Sequence, residues 1–290
     1  MSAPPFDTSK RTTFTQGPNP SFQWGTRVGS SELGRQWLEG EKEGWTGIDT
    51  AKEDPMKLYK LMISGITPRP IAFVASRDEN GVDNLAPFSW FNMVTAHPPL
   101  IAFTVARAGG KDKDTAANVK KTGNEGQEGF TVNIISEPFL EQANSCAVDA
   151  PAGVSEWDLS GLTKGETKVV KVPRVQESVF SMECVLHQAI DIIHPTTKAH
   201  TATHILAYVK YIHVRNDMWA GPSPSAAATS GSREERGGTI DIEKFKPVGR
   251  AGDISFTRTG DAMRIPRPAW ATEEETVRKF LESVSGDARM

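Results

Sequence analysis

The sequence predicts a mainly β protein with peripheral helices, an α+β arrangement whose strands close into a barrel of Greek-key type. Two long segments alternate apolar and polar residues and are predicted to pair as strands, Val179–Ile193 and Thr203–Val214. Three shorter runs are rich in the β-branched and aromatic residues that favour strands, Ile71–Val74, Leu100–Val105 and Gly129–Ile135. Because helical segments are few, a barrel fits this pattern better than an array of βαβ units.

The composition of the 290-residue chain excludes several classes of function. The net charge is -3 and the pI is about 6.1, so there is no basic excess to bind a nucleic-acid backbone. No apolar run approaches the length of a membrane span, and neither a nucleic acid nor a membrane is expected as a partner. The two cysteines, Cys146 and Cys184, form no CxxC motif and indicate reduced thiols in an intracellular protein.

Residues 1–55 are predicted to form an irregular N-terminal arm. Polar residues dominate this segment, but it also contains rings that would anchor it on the domain or on a partner subunit: Phe22, Trp24, Trp37 and Trp45. Residues 56–256 are predicted to form the main domain, and residues 257–290 a tail with a short helix. The stretch 221–238 is a low-complexity loop inserted in the main domain, and such loops are disordered or act as lids.

Helices are predicted from caps and apolar spacing at four places: from Asp54-Pro55 to Gly65, from a cap at Asp114 or Thr115 to Gly123, from Pro138 to Ala147, and from a capping box at Thr272 to Leu281. Between Ile66 and the second of these helices the predicted order is strand, turn, strand, loop and strand. Residues 150–173 are loop-rich, with Trp157, Leu159 and Leu162 as apolar anchors.

Four short motifs occur in order in the main domain: PRPIAFVAS at 68–76, NLAPFSWFN at 84–92, HPPL at 97–100 and KDTAANV at 113–119. The prolines restrict the backbone and fix where strands begin. Together the motifs resemble the flavin reductase-like family, whose members carry an FMN-binding split barrel. The resemblance extends over residues 58–256 and implies a bound flavin.

The resemblance implies a phosphate site in the segment KDT-x-x-N. Lys113 supplies a positive charge and Thr115 a hydroxyl, and the helix that starts in this segment directs free N–H groups at an anion. Asn118 completes the motif one turn later. Without the resemblance, the same residues are more typical of a capped surface helix with solvated charges.

The resemblance also implies a ring-binding segment from Asn84 to Asn92. The extended backbone around Ala86 is expected to present carbonyls and amides to the isoalloxazine edge, and Ser89 to bond near N5 of the ring. If this segment is extended, alternation places Ser89 and Phe91 on one face and Trp90 on the other, so only one of the two aromatic rings can wall the flavin.

Arg69 and Ser76 are expected either to reach phosphate or ribityl oxygens or to cap strands. Arg77 stands where the family usually has Thr, so a guanidinium replaces a hydroxyl there. The family often has a histidine beside the nicotinamide pocket, and His200 and His204 are the candidates for this catalytic position; ordinary loop or strand histidines are the alternative. No metal site is expected, because HExxH is absent and the pattern around these histidines is strand and loop.

The sequence therefore predicts an FMN-dependent oxidoreductase, with FAD as an alternative flavin and NAD(P)H as electron donor. The simplest activity is NAD(P)H-dependent flavin reduction. The alternatives are a flavoenzyme that reduces or oxygenates a small organic substrate directly, a flavin-binding or electron-transfer protein without turnover, and a related barrel for pyridoxine phosphates or a deazaflavin. A cytoplasmic homodimer is expected, although the terminal Ala288-Arg289-Met290 loosely resembles a peroxisomal import tripeptide.

Overall fold

The computed structural model describes residues 3–151, 153–221 and 238–287. This part of the chain separates into two compact units. The smaller unit consists of the described residues of Met1–Leu58 and Gly260–Met290, and the larger unit of those of Tyr59–Thr259. The tripeptide at 288–290 and most of the loop predicted at 221–238 lie outside the described residues.

The strands are, in chain order, β1 (Phe14–Gln16), β2 (Ala72–Arg77), β3 (Asp83–Phe88), β4 (Phe91–Ala96), β5 (Pro99–Ala106), β6 (Phe130–Ile134), β7 (Lys164–Gly165), β8 (Arg174–Val175), β9 (Phe180–Ile193), β10 (His200–Val214), β11 (Val248–Arg250), β12 (Phe256–Arg258) and β13 (Ala262–Arg264). The α-helices are α1 (Glu32–Glu39), α2 (Pro55–Gly65), α3 (Asp114–Thr122), α4 (Leu140–Ser145), α5 (Glu156–Ser160), α6 (Ile242–Phe245) and α7 (Trp270–Asp287). Short 3-10 helices occur at Val28–Ser30, Gly40–Glu43, Glu137–Phe139 and Asn216–Met218. The larger unit is mainly β with several short helices, as predicted.

A seven-stranded sheet is the framework of the larger unit, in the order β3-β2-β6-β9-β10-β5-β4. Every neighbouring pair in it is antiparallel. The two edge strands, β3 and β4, are consecutive in the chain and are joined by a bend at Ser89 and Trp90. Among the described residues no ladder connects these edges, so the sheet is open there and the hydrogen-bonded barrel is not closed.

The predicted pair of long strands is confirmed. β9 and β10 pair in antiparallel register between His200↔Ile193 and Val214↔Phe180, and β10 begins at His200 rather than at Thr203. The ladder has register shifts at several points along β10. Irregularities of this kind bend a strand and increase its twist, which favours a curved sheet.

Both faces of the sheet are buried, which explains the continuous apolar run in β2. Side chains alternate between faces along a strand, so Ala72 and Val74 enter one apolar cluster while Phe73 and Ala75 enter the other. The first cluster includes apolar residues of α3, and the second includes residues of α4 and α5. A strand covered on both faces needs apolar residues at every position.

Two helix starts differ from the prediction. α3 begins at Asp114, but its N-cap is Lys113, with φ -70° and ψ 156° and no side-chain cap hydrogen bond; Gly123 is the C-cap as predicted. α7 was predicted to begin with a capping box at Thr272, but it begins at Trp270. The Ala269 carbonyl accepts the N–H groups of Thr272 and Glu273. Thr272 therefore lies inside the first turn.

Two predictions for apolar segments were also incomplete. The predicted loop before Leu100 contains the additional strand β4. Trp157 and Leu162 are buried as expected, but Leu159 is 55% exposed, because the short helix α5 directs it to the other side.

In the smaller unit, residues of the predicted arm associate with the C-terminal tail. β1 pairs with β13 in parallel, and the indole N–H of Trp24 donates to Glu273 at 3.1 Å. Trp37 and Trp45 are 80% and 90% exposed, so in the single chain these two rings do not anchor the arm. Association of the arm with the tail was not predicted from the sequence.

Glu183 of β9 is a fully buried carboxylate. It accepts the N–H groups of Lys168, Val169 and Val170 at 2.7, 2.6 and 2.9 Å and pairs with Nε2 of His213 at 2.5 Å. Burial favours the neutral acid, but these hydrogen bonds outweigh it and hold the pKa of Glu183 below its usual value. The ionised carboxylate therefore fastens the 168–170 segment to β9 and β10.

Replacing Glu183 by Gln is expected to lower the free energy of unfolding by about 3 kcal/mol at neutral pH, because an amide leaves buried donors without an acceptor. The pKa of this carboxylate is lower in the folded chain, so its contribution is present above the unfolded-state pKa and is lost as pH falls through the folded-state pKa. Urea unfolding of both proteins at neutral and acidic pH should show the difference shrinking in acid. Glu125→Gln, which removes an exposed ion pair with Lys210, is the control and should change stability little. A difference in unfolding free energy that does not change with pH would contradict the assignment of Glu183 as an ionised carboxylate in the folded chain.

Candidate functional site

The first turn of α3 presents unpaired backbone donors. The Ala117 N–H is the first in the helix to bond along it, to the Lys113 carbonyl at 3.1 Å. Within the described chain the N–H groups of Asp114, Thr115 and Ala116 have no acceptor, and no side chain caps them. Free N–H groups and the positive end of the helix dipole make such a turn suited to an anion.

Four of the predicted cofactor residues meet in one buried polar cluster. The side-chain amide of Asn84 donates to Thr115 Oγ1 at 2.9 Å, and that of Asn118 donates to Ser76 Oγ at 3.1 Å. Ser76 and Asn84 are opposite each other in the β2–β3 ladder. All four side chains are buried, so the cluster fixes the first turns of α3 to the sheet.

A cavity of about 400 Å³ lies beside this cluster. Five predicted residues line it: Asn84, Ala86, Lys113, Asp114 and Thr115. The remaining wall comes from the turn before α3 and from residues that the sequence reasoning missed, notably Cys146, Asp149 and Glu156. The structure thus places the proposed phosphate segment and the start of the proposed ring segment at one cavity.

The charges around the cavity are mixed. Lys113 makes no ion pair with any described residue, whereas Asp112 is paired with Lys120 at 2.9 Å and with Arg107 at 3.4 Å. Asp114 and Asp149 are exposed at the rim. Lys113 and the helix N-terminus therefore bring positive charge to the cavity, and Asp114 at the same helix start brings negative charge.

The residues that the sequence missed come from the 146–156 segment. Glu156 is 5% exposed, and its Oε2 accepts the Leu85 N–H at 3.0 Å. Cys146 is a free thiol, and burial raises its pKa to about 11, so it is neutral at ordinary pH. No motif surrounds either residue, and one acid in a loop-rich stretch carries no signal of its own.

Arg69 lies away from the cavity lining. Its guanidinium donates to the carbonyls of Ile63, Ile66 and Ala251, and the last two distances are 2.6 and 2.9 Å. Arg69 is buried and also pairs through its backbone with Arg250. In this structure Arg69 holds the end of α2 to the segment that follows strand β11, and its contact with a phosphate or ribityl oxygen stays a prediction.

Ser89, Phe91 and Trp90 do not form one extended face. Ser89 and Trp90 occupy the bend between β3 and β4, so the alternation that was to orient them is interrupted. Phe91 packs against the apolar cluster that contains Phe103. Trp90 contacts the ring of Tyr59, with centroids 6.5 Å apart. None of the three lines the cavity.

His200 and His204 lie on strand β10, not on a helix, and neither lines the cavity. Nδ1 of His204 is 2.7 Å from Thr104 Oγ1. Nδ1 of His200 faces the guanidinium of Arg107, and its Nε2 is 3.2 Å from Asp191. The described residues contain no group of three or more side chains arranged for a metal ion.

Arg107 connects His200 to the cavity rim. Its guanidinium donates to the Gly110 carbonyl and lies 3.4 Å from Asp112. Ala108 and Lys111 pair across a two-residue turn in which Gly109 and Gly110 have φ of +56° and +76°. Both turn positions need positive φ, which glycine adopts without strain.

Comparisons with known proteins identify the family of this chain. The chain belongs to the flavin reductase family, because its residues 64–226 match the flavin reductase like domain. The structure of nitrilotriacetate monooxygenase component B from Bacillus cereus is 32% identical, aligns over 77% of this chain and 99% of its own, and has a TM-score of 0.66.

Two further solved structures are similar. The 2-nitrobenzoate 2-nitroreductase of Pseudomonas fluorescens is 25% identical over 78% of this chain and 98% of its own, with a TM-score of 0.62. A Shewanella frigidimarina protein described as a flavin reductase with a split barrel domain is 16% identical over 77% and 100% of the two chains, with a TM-score of 0.60. The last likeness concerns the fold alone.

A double-mutant cycle tests whether Asn84 and Thr115 act as a pair. Thr115→Val and Asn84→Ala should each lower the free energy of unfolding by about 1–3 kcal/mol, because each leaves a buried polar partner unsatisfied. The double variant should be less unstable than the sum by about 1 kcal/mol. Thr115→Val combined with Asn80→Ala, an exposed turn residue, should be additive. Additivity of both pairs in urea unfolding would show that the hydrogen bond between Asn84 and Thr115 contributes nothing to stability.

Proposed function

We propose that this chain is an FMN-dependent oxidoreductase that reduces flavin with NAD(P)H in the cavity beside α3. The observation that carries the proposal is the convergence on one cavity of the first-turn N–H groups of α3 and of Lys113, neither of which has a side-chain partner among the described residues. Membership of the flavin reductase family supports a flavin ligand. The cavity volume of about 400 Å³ is within the range of about 300 to 1,000 Å³ usual for small-molecule sites.

The residues present fit a flavin phosphate at one end of the cavity. Lys113 and the N–H groups of Asp114, Thr115 and Ala116 would hold the phosphate. The backbone of β3 at Ala86 would face the ring edge, as its place in the lining allows. A terminal phosphate suits the helix end, which favours FMN over FAD.

In this proposal, the flavin supplies the hydride chemistry and the protein binds, orients and shields it. A hydride passing from a nicotinamide to a flavin needs no strong protein acid. The chain's part is therefore to anchor the phosphate at Lys113 and to keep one ring face accessible. Roles for Ser89 near N5, for Phe91 as a ring wall, and for His200 or His204 beside a nicotinamide remain predictions.

A flavoenzyme that acts directly on a small organic substrate is the second candidate. The likeness to 2-nitrobenzoate 2-nitroreductase favours it, since that protein is 25% identical over nearly its whole length. A flavin carrier without turnover would use the same cavity. The flavin reductase, the direct-substrate flavoenzyme and the carrier differ in two properties. These are whether a reduced nicotinamide bleaches the bound flavin and whether free flavin sustains turnover.

We also infer a split barrel, a homodimer and a cytoplasmic location. The open edge between β3 and β4 and the likeness to the Shewanella protein support the split barrel. Strand β4 exposes Met93 and Val94, which a partner subunit would cover. The two free cysteines, Cys146 and Cys184, support a reducing compartment. No helix in the described residues has the length and apolar content to cross a membrane.

The direct test is an absorbance spectrum of the purified protein, followed by anaerobic addition of NADH and NADPH. Flavin bands that bleach with one donor are expected for a reductase. Bands that persist with both donors would favour the substrate-specific enzyme or the carrier. A colourless protein that takes up no added FMN would refute the proposal.

The phosphate anchor is tested with Lys113→Gln. We expect FMN affinity to fall about tenfold, the loss of roughly one charge-assisted hydrogen bond. Binding of riboflavin, which lacks the phosphate, should be unchanged. Lys279→Gln makes the same replacement on α7 and is the matched control. An equal loss for FMN and riboflavin, measured by flavin fluorescence, would remove Lys113 from the phosphate site.

A further inference from the structure

Glu156 is a buried carboxyl group at the cavity that the proposed reaction does not use. Its side chain is 5% exposed and belongs to the cavity lining. Its Oε2 accepts the N–H of Leu85, in the strand whose neighbours Asn84 and Ala86 line the same cavity. Glu156 therefore borders the cavity and contacts the backbone of β3 through its carboxyl group.

The protein contains a useful comparison in Glu183, which is similarly buried. Glu183 receives three backbone N–H groups and an imidazole, and its pKa is held below the usual value. Glu156 receives the N–H of Leu85, lies near its own N–H, and has no basic partner in the described chain. A buried carboxylate with fewer donors is less able to ionise.

The environment of Glu156 also favours the neutral form of its carboxyl group. Burial raises the pKa of Glu156; the N–H groups lower it in part, and the charge of Asp114 adds to the increase. The titratable groups that face the cavity from the neighbouring elements are Asp112, Lys113, Asp114, Cys146 and Asp149. Asp83, the first residue of β3, is paired with Arg77 and Lys164. Lys113 is the only base in the described lining.

We propose that Glu156 is a ligand-binding residue whose protonation controls affinity: the neutral carboxyl donates its O–H to an acceptor oxygen or nitrogen of the flavin, and the ionised carboxylate opposes binding. This inference rests on the proposed function, because it takes flavin as the occupant of the cavity. Flavin carries carbonyl oxygens and unprotonated ring nitrogens, which accept hydrogen bonds. An ionised carboxylate would repel these acceptors, whereas a neutral carboxyl donates a hydrogen bond to them.

The inference is tested by measuring FMN and riboflavin affinity from about pH 5.5 to pH 8.5 in the wild type and in Glu156→Gln. The amide keeps an acceptor for the Leu85 N–H and always offers a donor to the ligand. The two proteins should bind alike below the raised pKa of Glu156. As pH rises, the wild type should weaken relative to the variant, by about tenfold for each unit of pH above the raised pKa. The ratio of the affinities of the two proteins at each pH cancels the titration of the ligand.

Asp149→Asn is the matched control, since it removes a carboxylate from the exposed rim of the same cavity. It should change affinity by a smaller factor that is uniform across the pH range. Superimposable profiles for wild type and Glu156→Gln would overturn the inference and leave the proposed function standing. Failure of the wild type to bind either flavin at any pH would overturn the proposed function instead.

A measurement on the wild type alone covers the case in which Glu156→Gln does not fold. Riboflavin has no phosphate, so any proton taken up from solution on binding is taken up by a group of the protein. Calorimetric titration in two buffers of different ionisation enthalpy should show uptake in the upper part of the pH range. Binding of riboflavin without proton uptake anywhere in that range would overturn the inference.

Discussion

Two hydrogen bonds between buried side chains hold the first turns of α3 on the edge of the sheet. Asn84 donates to Thr115, and Asn118 donates to Ser76, so the helix is fixed to both β2 and β3. Because these polar groups are shielded from water, each partner would be costly to lose. The position of Lys113 and of the uncapped N–H groups depends on this attachment. The cavity exists where it does because the helix cannot slide along the strands.

The remaining parts of the larger unit support that edge. Apolar residues cover both faces of β2, so the strand that carries Ser76 is held from two sides. Arg69 fastens the end of α2 to the segment after β11 through backbone carbonyls. Arg107 braces the glycine turn that borders the cavity and contacts His200 on β10. Arg69 and Arg107, which resemble anion ligands by type, thus donate to backbone carbonyls of the fold.

The two buried glutamates show how environment determines the chemistry of one residue type. Glu183 is surrounded by N–H donors and an imidazole, which stabilise its charge and make it a structural tie. Glu156 has fewer donors and an acidic neighbour, which favour its neutral form at the cavity. The sequence places Glu183 in a predicted strand and Glu156 in a loop-rich stretch, but neither prediction says how many donors surround the carboxyl group. The hydrogen-bond donors that decide the protonation state of each glutamate come from segments packed against it.

The sequence by itself determined the mainly β class, the long β9–β10 pair, the end of α3 at Gly123 and the family resemblance, because alternation, helix punctuation and short motifs are local properties. Tertiary structure decided which polar side chains meet. It brought Asn84 to Thr115 and Arg69 to backbone carbonyls. It also placed Glu156 in the cavity lining and His200 and His204 outside it. These outcomes depend on packing between segments far apart in the chain, and a local pattern carries no information about such distances.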